Sequence, residues 1–287
     1  MNSYYTTKHY LKLLRWQALR AATSLRWGPH ALQSLPAVLG NAMPKSGSHL
    51  IIQVLQGLCG LGPFVNPGFP PVNRGEDNSK LPESGILANI RNMRSGDIAY
   101  GYIKAKEPFI SALTPPGRGT IFVYRDPRDM IVSHVFYATQ MHEEHGMHRY
   151  YTEVLDSMEA RIEAAIQGVD EDGAELSSVQ AKYVSYMGWL DQPDVLSMRF
   201  ENLILDREAA LNCILDYLER RGFRASIPRQ EAVAILGEAI RPKKSGTYRK
   251  GQPGNWREYF TPANKALFKE QAGGLLVQLG YEKDDQW

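Results

Sequence analysis

Acidic residues are missing from the start of this chain. Met1 to Gly75 contains no Asp or Glu, while Lys8, Lys12, Arg15, Arg20, Arg26, Lys45 and Arg74 are all basic. Cysteine is scarce too: Cys59 and Cys213 are the only two, which excludes a disulfide framework and a cysteine-rich metal site. Both fall in apolar helical patterns, so core packing in a reducing compartment is expected of each. No apolar run approaches the roughly 20 residues that a membrane-spanning helix needs, and a cytoplasmic location is the expectation. Also absent is the second glycine of a nucleotide triphosphatase loop, G-x-x-x-x-G-K-[ST]. Counted from Gly40, Lys45 stands in its place. The histidines between His142 and His148 lack H-E-x-x-H spacing, and Gly146 breaks the helix that would align them. No metal is therefore expected.

What is present is a globular composition: 287 residues, 43% apolar, 22% charged, with a net charge of +2. That balance gives no reason to expect a nucleic-acid partner. Residues 1–35 interleave Leu11, Leu14, Trp16, Leu19 and Trp27 with basic side chains. The segment reads as a helix packed on the domain edge, the alternatives being peripheral contact with an anionic membrane or a transit peptide. Residues 36–287 read as one α/β domain. No oligomer interface is read from the pattern.

Three stretches carry chemistry. In the first, an apolar run before Met43 reads as a buried strand, and Leu50, Ile51, Val54, Leu55 and Leu58 repeat near the helical period. Between them lies Pro44-Lys45-Ser46-Gly47-Ser48, a small-residue turn feeding a helix N-terminus. Such a turn offers backbone N–H groups and the positive end of the helix dipole to an anion. In the second, the strand Gly119 to Tyr124 runs into Arg125-Asp126-Pro127-Arg128-Asp129. Asp126 as N-cap and Pro127 at the first helical position mark the next helix. Arg125 is left at the strand edge and Ser133 stands eight residues on, an arginine fork and a hydroxyl suited to a phosphate monoester. An ion-pair cluster that balances Asp126 and Asp129 is the other reading. In the third, Tyr248 to Thr261 contains Arg249-Lys250-Gly251 and Gly254-Asn255-Trp256, a charged, glycine-bearing loop able to wrap an anion.

These stretches resemble, in order, the 5'-phosphosulfate loop, the 3'-phosphate-binding strand and helix, and the Arg-Lys-Gly-x-x-Gly-Asp-Trp loop of sulfotransferases that use 3'-phosphoadenosine 5'-phosphosulfate (PAPS). Asn255 replaces the aspartate of the last motif. The resemblance implies a three-layer α/β fold, with a central parallel sheet flanked by helices and a P-loop-like phosphosulfate loop. It implies in-line transfer of a sulfuryl group from PAPS to a hydroxyl or amine, with 3'-phosphoadenosine 5'-phosphate (PAP) as product and no metal. It assigns Lys45, Ser46, Gly47, Ser48 and His49 to the phosphosulfate, Arg125 and Ser133 to the 3'-phosphate, and Arg249, Lys250 and Gly251 to the covering loop. The strand Val195 to Phe200 places Phe200 beside the adenine or in the core.

Lys45 is the catalytic group expected to stabilise the leaving phosphate. The family's histidine base has no counterpart in Gly101 to Pro108, where Tyr102, Lys106 and Glu107 are the candidates; His49 and His134 are further ones. The acceptor is expected to be a small, partly hydrophobic molecule, its pocket shaped by the irregular stretches Leu61 to Lys80 and His142 to Tyr151. Two other functions fit less of the pattern: a catalytically silent PAPS- or PAP-binding protein, and an ATP-dependent phosphotransferase.

Overall fold

The computed structural model describes residues 3–171, 173–241 and 251–287. The chain begins with α1 (Ser3–Trp27), β1 (Ala37–Ala42), α2 (Ser48–Leu61), α3 (Glu83–Asn92), β2 (Ile98–Gly101), α4 (Phe109–Leu113) and β3 (Arg118–Tyr124). There follow α5 (Pro127–Phe136), α6 (Met158–Gln167), the strands β4 (Val169–Glu171) and β5 (Ala174–Leu176), and α7 (Val179–Met187). The last elements are β6 (Val195–Arg199), α8 (Phe200–Leu205), α9 (Arg207–Arg220), α10 (Arg229–Ala239) and α11 (Pro262–Gln278). Two compact units account for them: Met1–Tyr124 with Gly188–Ser245, and Arg125–Met187 with Gly246–Trp287.

The first unit contains a four-stranded parallel sheet in the order β2-β1-β3-β6. β1 is buried at every position, as a central strand of a parallel sheet must be when both faces are covered. Its side chains alternate between those faces. Val38 and Ala42, with Ile121 and Val123 of β3, face a core built with Leu50, Ile51, Val54, Leu55 and Leu58 of α2 and with residues of α9 and α10. Each aliphatic side chain fully buried there contributes roughly 1.5–3 kcal/mol. A Cβ on Gly40 would lie 3.0 Å from Leu55 and 3.2 Å from Ile51, so glycine lets α2 lie close against β1. On the opposite face α4 packs on β3, where the Thr120 hydroxyl donates to the Leu113 carbonyl at 2.7 Å. The Tyr217 hydroxyl of α9 accepts the Thr120 N–H at 2.8 Å and donates to the Asp194 carbonyl at 2.9 Å, tying β3 to the start of β6.

Helix α1 packs on this first unit. Trp16 Nε1–H donates to Asp97 at 2.9 Å, Arg20 reaches the same carboxylate at 2.7 Å, and Lys12 pairs with Glu76 at 2.6 Å. Trp16 is buried with Leu32 and Val65, beside Leu13, Leu19 and Phe69. Burial pushes the pKa of Asp97 up, against the hydrogen bonds from Trp16, Arg94 and Arg20 that lower it.

In the second unit Asp126 caps α5 by accepting the Arg128 N–H, with Pro127 in the first turn. A capping box between Thr261 and Asn264 starts α11, which bends at Ala272. Ahead of α6 the chain makes a wide helical turn over Tyr150–Val154. After α6 the strands β4 and β5 pair antiparallel. One expectation about the cysteines is corrected. Cys59 is half-buried, its thiol pushed up to about 11 by burial, but Cys213 is exposed on α9 rather than packed in the core.

Candidate functional site

β1 delivers the chain into the Pro44–Ser48 turn, and the turn is bound at both ends. Met43 N–H donates to the Val123 carbonyl at 3.1 Å, and Ser46 N–H donates back to the Met43 carbonyl at 3.1 Å. Lys45 and Gly47 both adopt left-handed backbone, with φ of 66° and 92°, which costs a residue bearing a Cβ roughly 1–2 kcal/mol. A Cβ at Gly47 would also sit 2.5 Å from the Phe200 ring, so the turn is cradled on Phe200 of α8, itself buried. The Gly47 carbonyl accepts the N–H groups of Leu50 and Ile51. No acidic side chain occupies the first turn of α2 and no side chain caps it. Ser46 is fully buried, and its hydroxyl finds no hydrogen-bond partner among the described residues. A buried hydroxyl in that state loses about 1–3 kcal/mol of solvation, a loss that an oxyanion held at the turn would offset. The turn therefore fits a phosphosulfate group.

His49, the second residue of α2, has its pKa pulled down, first by partial burial and then by the charge of Lys45. The folded protein thus holds fewer protons here than the unfolded chain, so this residue's contribution to stability rises with pH through the window below about 6.5. NMR titration of the His49 ring should give a midpoint below about 6.5. Lys45→Ala should move that midpoint upward. A midpoint that ignores the substitution would contradict this account of the turn's electrostatics.

Beyond β2 the chain stays tied to β1 through one side chain. Asn41 accepts the Ile103 N–H at 2.8 Å and donates to the Ile103 carbonyl at 3.0 Å, and Trp189 Nε1–H reaches that same carbonyl at 2.7 Å. This fixes Tyr102, whose hydroxyl donates to Ser48 Oγ at 3.0 Å. Of Tyr102, Lys106 and Glu107, Tyr102 is placed against the turn's own helix. Lys106 instead pairs with Glu83 at 2.5 Å and lies 5.6 Å from the Phe109 ring. Glu107 is exposed and accepts the Ser111 N–H at 3.3 Å.

In the second unit Arg125 is nearly buried. Its guanidinium stands 3.7 Å from Asp129, and its carbonyl accepts the Tyr183 hydroxyl at 2.8 Å. Ser133 is half-buried on α5. Arg128 and Asp129 have other tasks. Arg128 forks onto Asp126 through Nε and Nη2, at 3.0 and 2.7 Å, and reaches Glu282 at 2.6 Å. It packs against both rings of the edge-to-face Trp256–Trp287 pair, at 4.0 and 4.5 Å from their centroids. Asp129 accepts the backbone N–H groups of Gly254 at 2.7 Å and Trp256 at 2.9 Å, so α5 holds the end of the third motif. Asn255 donates its side-chain N–H to the Gln252 carbonyl, a bond that an ionised aspartate cannot make. Gly251 is exposed in part with a φ of 62°, while Arg249 and Lys250 lie outside the described residues. His134, the further base candidate, is buried in a ring cluster, 5.2 Å from His145 and 5.8 Å from Tyr151.

Residues 119–274, more than half of the chain, match the family model described as the sulfotransferase domain. This chain belongs to the sulfotransferase family. Solved structures agree in fold. Mouse sulfotransferase SULT7A1 complexed with PAP is 16% identical with a TM-score of 0.59, over 88% of this chain and 91% of that one. Retinol dehydratase in complex with androsterone and PAP is 14% identical with a TM-score of 0.58, over 86% of this chain and 83% of that one. A second retinol dehydratase complex, with retinol and PAP, gives 15% and 0.54, over 86% and 84%. A comparison with curated proteins found no match.

The match begins at Gly119, so the sulfotransferase's Pro44–Ser48 turn rests on its own geometry and on the motif. Sequence reasoning missed the double hold of Asp129 on Gly254 and Trp256 and the packing of Arg128 against two tryptophans. Both join residues far apart in the chain, and the only local signal was the density of charge in Arg125 to Asp129.

Proposed function

We propose that this sulfotransferase moves the sulfuryl group of PAPS to a hydroxyl or amine of a small, partly hydrophobic organic acceptor and releases PAP. The observation that carries the reading is the Pro44–Ser48 turn, where the buried Ser46 hydroxyl and the uncapped start of α2 suit an anion. In the transfer, the bond from sulfur to the donor's bridging oxygen breaks and leaves its electron pair on PAP. The acceptor atom bonds to sulfur, and its proton passes to a base. Lys45 and the Gly47 and Ser48 amides would meet the charge growing on the bridging oxygen, the Ser46 amide being engaged by the Met43 carbonyl. Arg125 and Ser133, with Arg249, Lys250 and Gly251, take the 3'-phosphate in this reading. Phe200 supports the turn from below, and His49 lies at its edge.

Among the base candidates, the Tyr102 contact with Ser48 supports Tyr102, while the engagement of Lys106 by Glu83 argues for a surface role. The bound retinol and androsterone named for retinol dehydratase support a small apolar molecule bearing one reactive group. A cytoplasmic location belongs to the same proposal and suits the free thiols of Cys59 and Cys213. Among the described residues, no helix is long and apolar enough to cross a membrane.

Calorimetric titration tests the donor. PAP should bind without metal, ATP with magnesium should not compete, and Arg125→Ala should weaken PAP about 10- to 100-fold, the worth of a hydrogen bond to a charged group at about 1.5–3 kcal/mol. Binding of ATP with magnesium and not PAP would instead identify a phosphotransferase. PAP binding with no turnover of PAPS on phenols, alcohols or amines would identify a silent binder.

A further inference from the structure

Helix α1 shows two faces of different character. The inward one is occupied by Trp16, Lys12 and Arg20, whose partners are Asp97 and Glu76. Lys12 and Arg20 are therefore committed to carboxylates of the protein itself. On the outward face Tyr4, Leu11, Leu14 and Leu25 are 65%, 62%, 63% and 89% exposed, and Ala18, Ala21 and Ala22 between them are exposed as well. At helical spacing these positions fall in one stripe along the helix. Exposed Arg15 and Arg26 and the half-buried Lys8 line one flank of it, and the helix contains no acidic residue.

We propose that this outward face is a docking surface for an anionic lipid membrane. Charge and shape select that occupant. Leucines standing this far into solvent gain by entering the boundary between headgroups and acyl chains, and the flanking arginines are then level with lipid phosphates. A second copy of the chain seated stripe to stripe would instead bring two acid-free cationic flanks together, with like charges opposed. The inward face also matters: Trp16 and His9 contact Phe69, at 5.8 and 5.9 Å between ring centroids, so the helix braces the irregular stretch that follows α2. Docking would bring an apolar acceptor dissolved in the bilayer to the side of the protein that bears this stretch. The docking surface itself does not depend on the identity of the donor.

Co-sedimentation of the full chain with vesicles tests it, comparing phosphatidylcholine alone with phosphatidylcholine mixed with phosphatidylserine. The protein should pellet with the anionic vesicles at low salt and be released as salt rises. Arg15→Gln and Arg26→Gln should each lower partitioning about fivefold, and the double variant Leu11→Ser, Leu14→Ser should abolish it. All these side chains are exposed, and circular dichroism and PAP titration should match the parent protein. No pelleting with anionic vesicles at low salt would overturn the proposal, as would pelleting that none of the variants changes. A dimer in analytical ultracentrifugation that the leucine variant splits into monomers would overturn it in favour of a second copy.

Discussion

Lys45→Ala is expected to lower kcat for sulfuryl transfer about 10²–10³-fold while the protein stays folded, the loss seen when one preorganised donor to a developing oxyanion is removed. The substitution removes the ammonium group and leaves the backbone conformation available. Lys45 sits in left-handed backbone, but alanine also carries a Cβ, so the strain at this position does not change. The turn is held by backbone hydrogen bonds of Met43, Ser46 and Gly47, none of which involves the lysine side chain. What disappears is a full positive charge beside the start of α2. In the ground state the turn's amides still hold the donor, so the loss should appear mainly in kcat. Steady-state turnover on a phenolic acceptor, with thermal unfolding as control, decides the matter. An unchanged kcat would remove Lys45 from the reaction.

Arg128→Ala should cost about 3–5 kcal/mol of stability, the range for deleting one partner of a buried ion pair. The guanidinium is 2% exposed. Burial pulls its pKa down, and the hydrogen bonds and charges of Asp126 and Glu282 more than offset that, leaving it above its ordinary value. Truncation would take the guanidinium fork from the buried Asp126 carboxylate and the cation from beside Trp256 and Trp287. Arg128→Lys should recover only part of the loss, because an ammonium cannot fork onto Asp126 and lacks the planar group that packs against the rings. Urea unfolding followed by tryptophan fluorescence reads the effect, and a change below about 1 kcal/mol, the size expected of a surface pair, would show the pairs to be dispensable. The contrast with Arg125, three residues earlier, is informative: one arginine of the motif serves the fold, the other is the candidate for the ligand.

The central strands were legible because strands of a covered parallel sheet are short, nearly unbroken apolar runs: β1, β3 and β6 lie where such runs occur. The start of α5 was legible from two residues, Asp126 and Pro127, each with one local job. Helix α3 gave no such signal, since Ile90 is its one buried residue, and α11 blurs its own period by bending at Ala272. At the site, the turn and Arg125 could be picked out by type and spacing. Tyr102 could not be separated from Lys106, because what distinguishes them is contact: one meets Ser48, 54 positions away, and the other meets Glu83.

The hold of Asn41 on Ile103 has a consequence for substitutions in the segment that follows. Strand pairing between β1 and β2 ends at Asn41 and Gly101, and the side-chain rung adds one more fixed point after the ladder stops. Everything before that point keeps its phase whatever follows, so Tyr102 stays aimed at Ser48 even if the segment after Ile103 is rewritten. Substitutions within residues 104–108 should thus leave the contact between Tyr102 and Ser48 in place. Asn41 is the joint between the sheet and the segment that follows it.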